Sequence, residues 1–286
     1  MKISSMYKTN KTVFSFEVFP PKKTSSVDTV YSTLADLKEL SPDYISVTYG
    51  AGGSAANAST RDIASYIKHT LGIESMAHLT CINSSREGVV ATLRELKESG
   101  IENILALRGD INPDMPSATD FAYASDLIEF IGEDGGFDIS AACYPEGHIE
   151  SDSLIADIRN LWRKVDAGAR SLVSQLFFDN SYFYSFAEKA EIAGISVPIS
   201  AGIMPVTNKS QIERMVTMCG ASLPPKFVKM MSRYESNPAA LLDAGVAYAI
   251  DQIVDLISNG ADGIHLYTMN RADIAKRITD SVKNLL

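Results

Sequence analysis

The sequence predicts an α/β fold, a single-domain (β/α)8 barrel of the TIM type over residues 1–286 with extra helices before its eighth strand. Three observations carry that prediction. Short apolar runs, rich in β-branched residues, alternate with segments whose apolar residues recur at helical spacing, the pattern of parallel strands covered by helices. Eight such units occur, the number that closes a barrel. The first strand runs into Glu17-Val18-Phe19-Pro20-Pro21, not into the G-x-G-x-x-G turn that marks a dinucleotide site in an open sheet.

The predicted strands are 13–18 (VFSFEV), 44–49 (YISVTY), 74–80 (ESMAHLT), 103–107 (NILAL), 138–143 (DISAAC), 171–178 (SLVSQLFF), 197–203 (VPISAGI) and 263–267 (GIHLY). After the first, a helix opens at Ser25 and carries Val27, Val30, Tyr31, Leu34 and Leu37 on one stripe. A second lies near Thr60, with Ile63, Ile67 and Leu71, and closes at Gly72. Ser84-Ser85-Arg86-Glu87 reads as a capping box for a third helix bearing Val90, Leu93 and Leu96, which ends at Gly100. The helix after the fifth strand carries Leu154, Ile158, Leu161 and Val165 and stops at Gly168. Extra helical sequence spans roughly 222–259, punctuated by Pro224-Pro225, and the last helix starts near Ala272 with Ile274, Ile278 and Val282.

Bulk properties set limits on function. The hydrophobic content of 45% and charged content of 21% suit an ordinary globule with one substantial core. A net charge of −9 argues against a broad nucleic-acid surface. The N-terminal stretch has no signal-like apolar run and no segment is long enough to span a membrane, so a cytoplasmic protein is expected. Cys81, Cys143 and Cys219 show no CxxC spacing and the four histidines no HExxH spacing, so no metal site is expected.

In a barrel the chemistry gathers at the C-terminal ends of the strands. Those ends deliver Glu17, Thr48, His78, Arg108 with Asp110, Tyr144 with His148, Gln175, and Tyr267 with Arg271. Glu17 sits in a largely apolar run, where partial desolvation favours the protonated carboxyl and suits it to general-acid work. The bland alternative is a structural ion pair. Gly109 lets backbone approach a ligand and Asp110 projects charge into the mouth, unless the pair is only a turn. The glycine-rich Thr48–Ser54 loop lacks a P-loop lysine and reads equally well as a turn. On spacing alone, Arg163 and Lys164 read as solvated cations near a helix end. Gln175 is a strand amide in need of partners. Met215 falls on the apolar stripe Ile212–Met215–Val216–Cys219, so a core role and a ligand-covering role stand about even.

Nine segments together resemble the methylenetetrahydrofolate reductase family: FSFEVFPPK (14–22), ISVTYGAGGS (45–54), MAHLTC (76–81), NILALRGD (103–110), DISAACYPEGH (138–148), RKVDAGA (163–169), SQLFFD (174–179), AGIMPVTN (201–208) and HLYTMNRA (265–272). The resemblance implies non-covalent FAD, NADH or NADPH as reductant, and a folate substrate, in ping-pong chemistry by a homo-oligomer. It makes Glu17 the acid that opens the folate ring and Asp110 the charge that stabilises the cationic intermediate. The implied FAD contacts are Thr48, His78, Arg108, Gly109, Asp110, Tyr123, Ala124, Tyr144, His148, Asp157, Asn160, Arg163 and Lys164. Gln175, Gln211, Met215 and Arg271 fall on the substrate side. Met215 and Lys209 stand where family members carry aromatic residues, and Met covers a ring while orienting it less firmly. Two other classes remain in view. A Schiff-base lyase needs a lysine in or at a strand, and no predicted strand contains one. A non-catalytic flavin or pterin binder has no use for Glu17.

Overall fold

The computed structural model describes residues 1–9, 11–21, 27–49, 54–82, 84–110 and 120–286, apart from the side chains at 27, 54–58, 209, 211 and 214. Ser25 and the glycines at 50, 52 and 53 lie outside these. Eight parallel strands form a closed barrel in sequence order. They are β1 (Val13–Val18), β2 (Tyr44–Val47), β3 (Glu74–Thr80), β4 (Asn103–Leu107), β5 (Asp138–Cys143), β6 (Ser171–Ser174), β7 (Ile199–Ile203) and β8 (Gly263–Tyr267). Closure is made by β1 against β8, in a register that sets Ser15 opposite His265 and Glu17 opposite Tyr267.

Around the barrel run α1 (Val27–Lys38), α2 (Ser54–Tyr66), α3 (Arg86–Glu98), α4 (Ala124–Asp134), α5 (Leu154–Asp166), α6 (Asn180–Ile192), α7 (Lys209–Cys219), α8 (Pro225–Tyr234), α9 (Pro238–Ser258) and α10 (Ala272–Val282). The period of two along each strand divides its side chains. One set, such as Phe14, Phe16 and Val18, packs outward with Leu34, Leu37 and Ile278 in the large core between sheet and helices. The other set fills the barrel. A short 3-10 helix, Ile3–Lys8, closes the N-terminal end, where Ile3 packs on Val13, Tyr44, Met76, Leu105 and Val173.

Several predicted boundaries move. β2 stops at Val47 although Thr48 N–H still donates to the Val18 carbonyl at 3.0 Å. β6 stops at Ser174, because Gln175 onward turns over the mouth into the apolar cluster of Leu176 and Phe178. β7 starts at Ile199, since Pro198 has no N–H for the ladder. The capping box at Ser84 is not formed: Ser85 is the cap, accepting from Gly88 N–H at 3.1 Å. The inward stripe of α3 is accordingly Val89, Leu93 and Leu96, and Val90 is exposed. The second helix begins at Ser54 and ends in a π turn, Ile67–Leu71, before Gly72 at φ +73°. The extra helical region is α8 and α9, with α7 ahead of them; together they build a satellite core from Ile212, Phe227, Met231 and Leu241 on Phe178 and Met204. That core roofs one side of the mouth.

Candidate active site

Glu17 faces the barrel interior one residue before the end of β1, with 19% of its side chain exposed. Its Oε2 lies 3.6 Å from His78 Nε2 on β3 and 3.5 Å from His265 Nε2 on β8. Burial lowers the His78 pKa to about 4, so this ring is neutral near pH 7, and its Nε2 has no hydrogen-bond partner among the described residues. His265 is fully buried, and its Nδ1 stands 2.7 Å from Ser15 Oγ. If Ser15 donates there, the imidazole proton sits on Nε2, toward Glu17. The carboxylate thus stands at the base of the mouth between two imidazoles.

Tyr267, next to Glu17 in register, donates from its phenol to the Ser174 carbonyl at 2.7 Å. Burial and the Glu17 charge hold that phenol well above the ordinary tyrosine range. Gly202 makes this crossing possible. A Cβ there would stand 2.2 Å from the Ser174 carbonyl oxygen and 2.9 Å from Tyr267 Oη.

Across the mouth the groups are charged and borne on loops. Arg108 makes a two-pronged ion pair with Glu150, at 2.5 and 2.9 Å, which raises the arginine pKa. Gly109 has φ +87°, and a Cβ on it would press on Thr80 at 3.1 Å and Ile82 at 3.2 Å, so this backbone needs glycine. Asp110 is exposed, and its charge reaches Arg108, Tyr144 and the Cys219 thiol, which spans the opening. His148 lies edge-on to Tyr144 at 4.7 Å and accepts from Glu150 N–H, and burial lowers its pKa.

Lys164 departs from the solvated helix-end cation expected from its spacing. It reaches back from α5 to donate to the Ala142 carbonyl at 2.9 Å, over the Tyr144 ring, and burial lowers its pKa. No carboxylate forms an ion pair with it among the described residues, although the charge of the buried Asp157 favours its cation. Arg163 and Asn160 are exposed on the same helix and bonded to each other at 3.2 Å.

The remaining predicted residues spread along the rim. Thr48 follows β2, with its carbonyl accepting from the Thr60 hydroxyl at 2.9 Å. Tyr123 and Ala124 open α4, where Asp126 accepts from the N–H groups of Ala122 and Tyr123. Gln175 folds its Oε1 onto Leu176 N–H at 2.9 Å. Met215 packs against the satellite core. Gln211 lies on α7 with its side chain outside the described residues, as does that of Lys209. Arg271 is exposed and ion-paired with Asp273 at 2.7 Å, away from the Glu17 group.

Sequence reasoning missed His265, Ser15 and Ser46 as companions of Glu17, the last standing opposite it in register with its Oγ 3.4 Å from His265 Nε2, and Glu150 as the partner of Arg108. The strand residues had a signal: Ser15 and Glu17 share one parity on β1, as His265 and Tyr267 do on β8. Glu150 had none, since its partner lies 42 residues away. Among the described residues no group of His, Cys, Asp or Glu can hold a metal ion, and no helix is long and apolar enough to cross a membrane.

Comparison with known proteins places this geometry. The methylenetetrahydrofolate reductase family profile matches residues 2–283. A 5,10-methylenetetrahydrofolate reductase of Pectobacterium carotovorum subsp. carotovorum is 38% identical over 269 residues, covering 92% of this chain and 88% of that protein. The Escherichia coli (strain K12) protein of the same name is 37% identical over 264 residues, with the same coverage of 92% and 88%. Methylenetetrahydrofolate reductase (NADH) 1 of Arabidopsis thaliana is 35% identical and matches 94% of this chain against 48% of its own length. A Clostridium thermocellum protein solved with two copies of 5-methyl-5,6,7,8-tetrahydrofolic acid has the same fold, with a TM-score of 0.71 over 99% of this chain and all of that one at 13% identity.

Proposed function

The chain belongs to the methylenetetrahydrofolate reductase family, and from that premise we propose that it reduces 5,10-methylenetetrahydrofolate to 5-methyltetrahydrofolate with non-covalent FAD and NADH or NADPH. The observation that carries the reading is Glu17, held at the base of the mouth within 3.6 Å of two imidazole nitrogens. When bound, FAD would supply the hydride chemistry between the nicotinamide and the folate, in ping-pong order.

The protein's share is protonic and electrostatic. Glu17 donates a proton to the bridging amine nitrogen of the folate, the C–N bond of the five-membered ring breaks, and a cationic C=N remains on the substrate. Asp110 faces that cation with a negative charge from the opposite rim. His265, with Nε2–H toward Glu17, returns a proton to the carboxylate. His78, a neutral ring whose Nε2 has no hydrogen-bond partner among the described residues, lies beside the acid and offers that nitrogen to a ligand group in the mouth.

The residues fit a phosphate-bearing cofactor. Lys164 is a half-buried cation whose ammonium makes one hydrogen bond among the described residues, to the Ala142 carbonyl, leaving donors for phosphate oxygens. With Arg108, Arg163 and His148 it would hold the pyrophosphate, while Thr48, Gly109, Tyr123, Ala124, Tyr144, Asp157 and Asn160 line the course of the nucleotide. Gln175, Gln211, Met215 and Arg271 are our choice for the folate side. We read residues 1–286 as one FAD-binding catalytic domain, working in the cytoplasm as a homo-oligomer. The test is spectroscopic. The purified protein should be yellow or turn so with FAD, bleach anaerobically with NADH or NADPH, and recover colour with 5,10-methylenetetrahydrofolate. Protein that cannot take up FAD, or a bleached form that folate leaves unchanged, would refute the reading.

A further inference from the structure

The inner wall of the barrel mixes apolar and polar groups. On β3, β4 and β6 the axis-facing positions include Met76, Leu105 and Val173, with Val13 of β1 in the same cluster, beside His78 and a buried Ser140–Ser171 hydroxyl pair at 2.7 Å. On the contiguous strands β7, β8, β1 and β2 they carry Ser200, His265, Ser15, Tyr44 and Ser46, all fully buried. Barrels of this type usually fill this volume with branched aliphatic side chains. A buried hydroxyl left without a partner costs about 1–3 kcal/mol. Tyr44 is such a group: its Oη has no hydrogen-bond partner among the described residues, yet it faces the hydroxyls of Ser15, Tyr7 and Ser200. Phenylalanine would fill the same space at lower cost.

These hydroxyls continue a line that begins at Glu17. His265 Nε2 is 3.5 Å from the carboxylate, and His265 Nδ1 is 2.7 Å from Ser15 Oγ. Tyr44 stands beside Ser15 in the β1–β2 register with its Oη not hydrogen-bonded among the described residues, and Tyr7 Oη lies 2.8 Å from Ser200 Oγ. Tyr7 belongs to the half-buried 3-10 helix under the barrel, where the charge of the exposed Asp262 reaches it. Gly263 leaves room for this hydroxyl pair, because a Cβ on it would stand 2.3 Å from Ser200 Oγ and 3.1 Å from the Tyr7 ring.

We propose that Tyr44, Ser200 and Tyr7 extend the Ser15–His265 pair into a proton path from the N-terminal rim to Glu17. The proposal rests on the folate-reductase reading. Each turnover of that reaction consumes one proton besides the hydride, and a ligand stacked over the mouth covers Glu17 from above. After Glu17 has given its proton to the substrate amine, His265 passes its Nε2 proton to the carboxylate. His265 Nδ1 takes the Ser15 proton, Ser15 takes that of Tyr44, and Tyr44 takes that of Tyr7 or Ser200, which recovers one from water at the rim. One proton enters and one leaves, and no group ends charged. Burial holds the Tyr7 and Tyr44 phenols above their ordinary range, so the protons shift together and no free phenolate forms. Hydroxyl rotation and the imidazole tautomer reset the line.

The experiment is single-turnover reoxidation of the reduced holoenzyme by 5,10-methylenetetrahydrofolate in mixtures of H2O and D2O, for wild type, Tyr44→Phe and Ser200→Ala. Wild type should show a curved proton inventory, the mark of several protons in flight. Tyr44→Phe should reoxidise about tenfold more slowly with a straight inventory, while reduction by the nicotinamide stays at the wild-type rate. Ser200→Ala should fall between, and Tyr44→Phe, which removes an unpaired hydroxyl, should melt at or above the wild-type temperature. Wild-type rate and inventory in both variants would overturn the path while leaving the reductase reading intact. A wild-type protein that folate does not reoxidise would overturn the reading, and the path with it.

Discussion

On β1, β3 and β8 the acid and its neighbours are strand residues: Glu17, His78 and His265 are buried or nearly so, and each is fixed by the ladder that carries it. Across the mouth, Arg108, Asp110, His148 and Glu150 sit on loops, exposed or half-buried, and their contacts are ion pairs and loop hydrogen bonds. On the proposed function the difference divides the labour: strand-held groups would do chemistry that tolerates little displacement, and loop-held charges would meet ligands that come and go. Lys164 belongs to neither class, being a helix cation drawn into the wall by its stem.

That contrast can be broken by substitution, and the largest effect is expected at the strand scaffold. Gly202→Ala drives a methyl into the Ser174 carbonyl and the Tyr267 ring, and should destabilise the fold by about 3 kcal/mol or more in urea unfolding. A stable Gly202→Ala protein with wild-type turnover would show that the inner wall gives way more easily than the ladder implies.

His78 tests the burial of the strand-held group through pH. Its folded pKa is about 4, against about 6.5 in an unfolded chain. The unfolded chain therefore takes the proton first, so the contribution of this residue is present above about pH 6.5 and lost as pH falls toward 4. Between pH 7 and pH 5 wild type should lose about 2 kcal/mol more than His78→Gln, read from urea midpoints. Parallel losses would mean that the ring is not held neutral by the fold.

Effects on the loop side should be milder and fall on binding. Lys164→Met should weaken FAD affinity at least tenfold, about 1.4 kcal/mol, in a fluorescence titration, and leave the apoprotein as stable as before. Unchanged affinity would remove this cation from the phosphate site. Asp110→Asn should slow folate-driven reoxidation several-fold, up to about 1.4 kcal/mol of barrel-mouth electrostatics, and spare reduction by the nicotinamide. Equal slowing of both steps would assign Asp110 to flavin binding instead.

The same division governs what was legible in the sequence. The C-terminal end of the first strand put Glu17 at the mouth, and the alternation of apolar runs with amphipathic stretches pointed to the closed barrel. His265 was passed over because a histidine in GIHLY looks like any buried polar residue until β8 is known to pair with β1. Val90 was chosen over Val89 because the cap was placed at Ser84, and one residue of phase rotates a helix by about 100°. Ends of strands were overrun where apolar sequence continued past the ladder, as at Leu176–Phe178, which serve the satellite core instead. On the rim, no local pattern pairs Arg108 with Glu150, which depends on loops meeting across the mouth, or folds Lys164 onto Ala142, which depends on how α5 packs against β5.

Anaerobic stopped-flow on Glu17→Gln tests the role of the buried acid most directly, by following the flavin band through each half-reaction separately. The amide keeps the shape of the side chain and loses its proton. Reduction by the nicotinamide should proceed within about twofold of wild type, while folate-driven reoxidation should slow by about 10²–10⁴, the usual worth of a positioned acid. Equal slowing of both half-reactions, or reoxidation at the wild-type rate, would contradict the account.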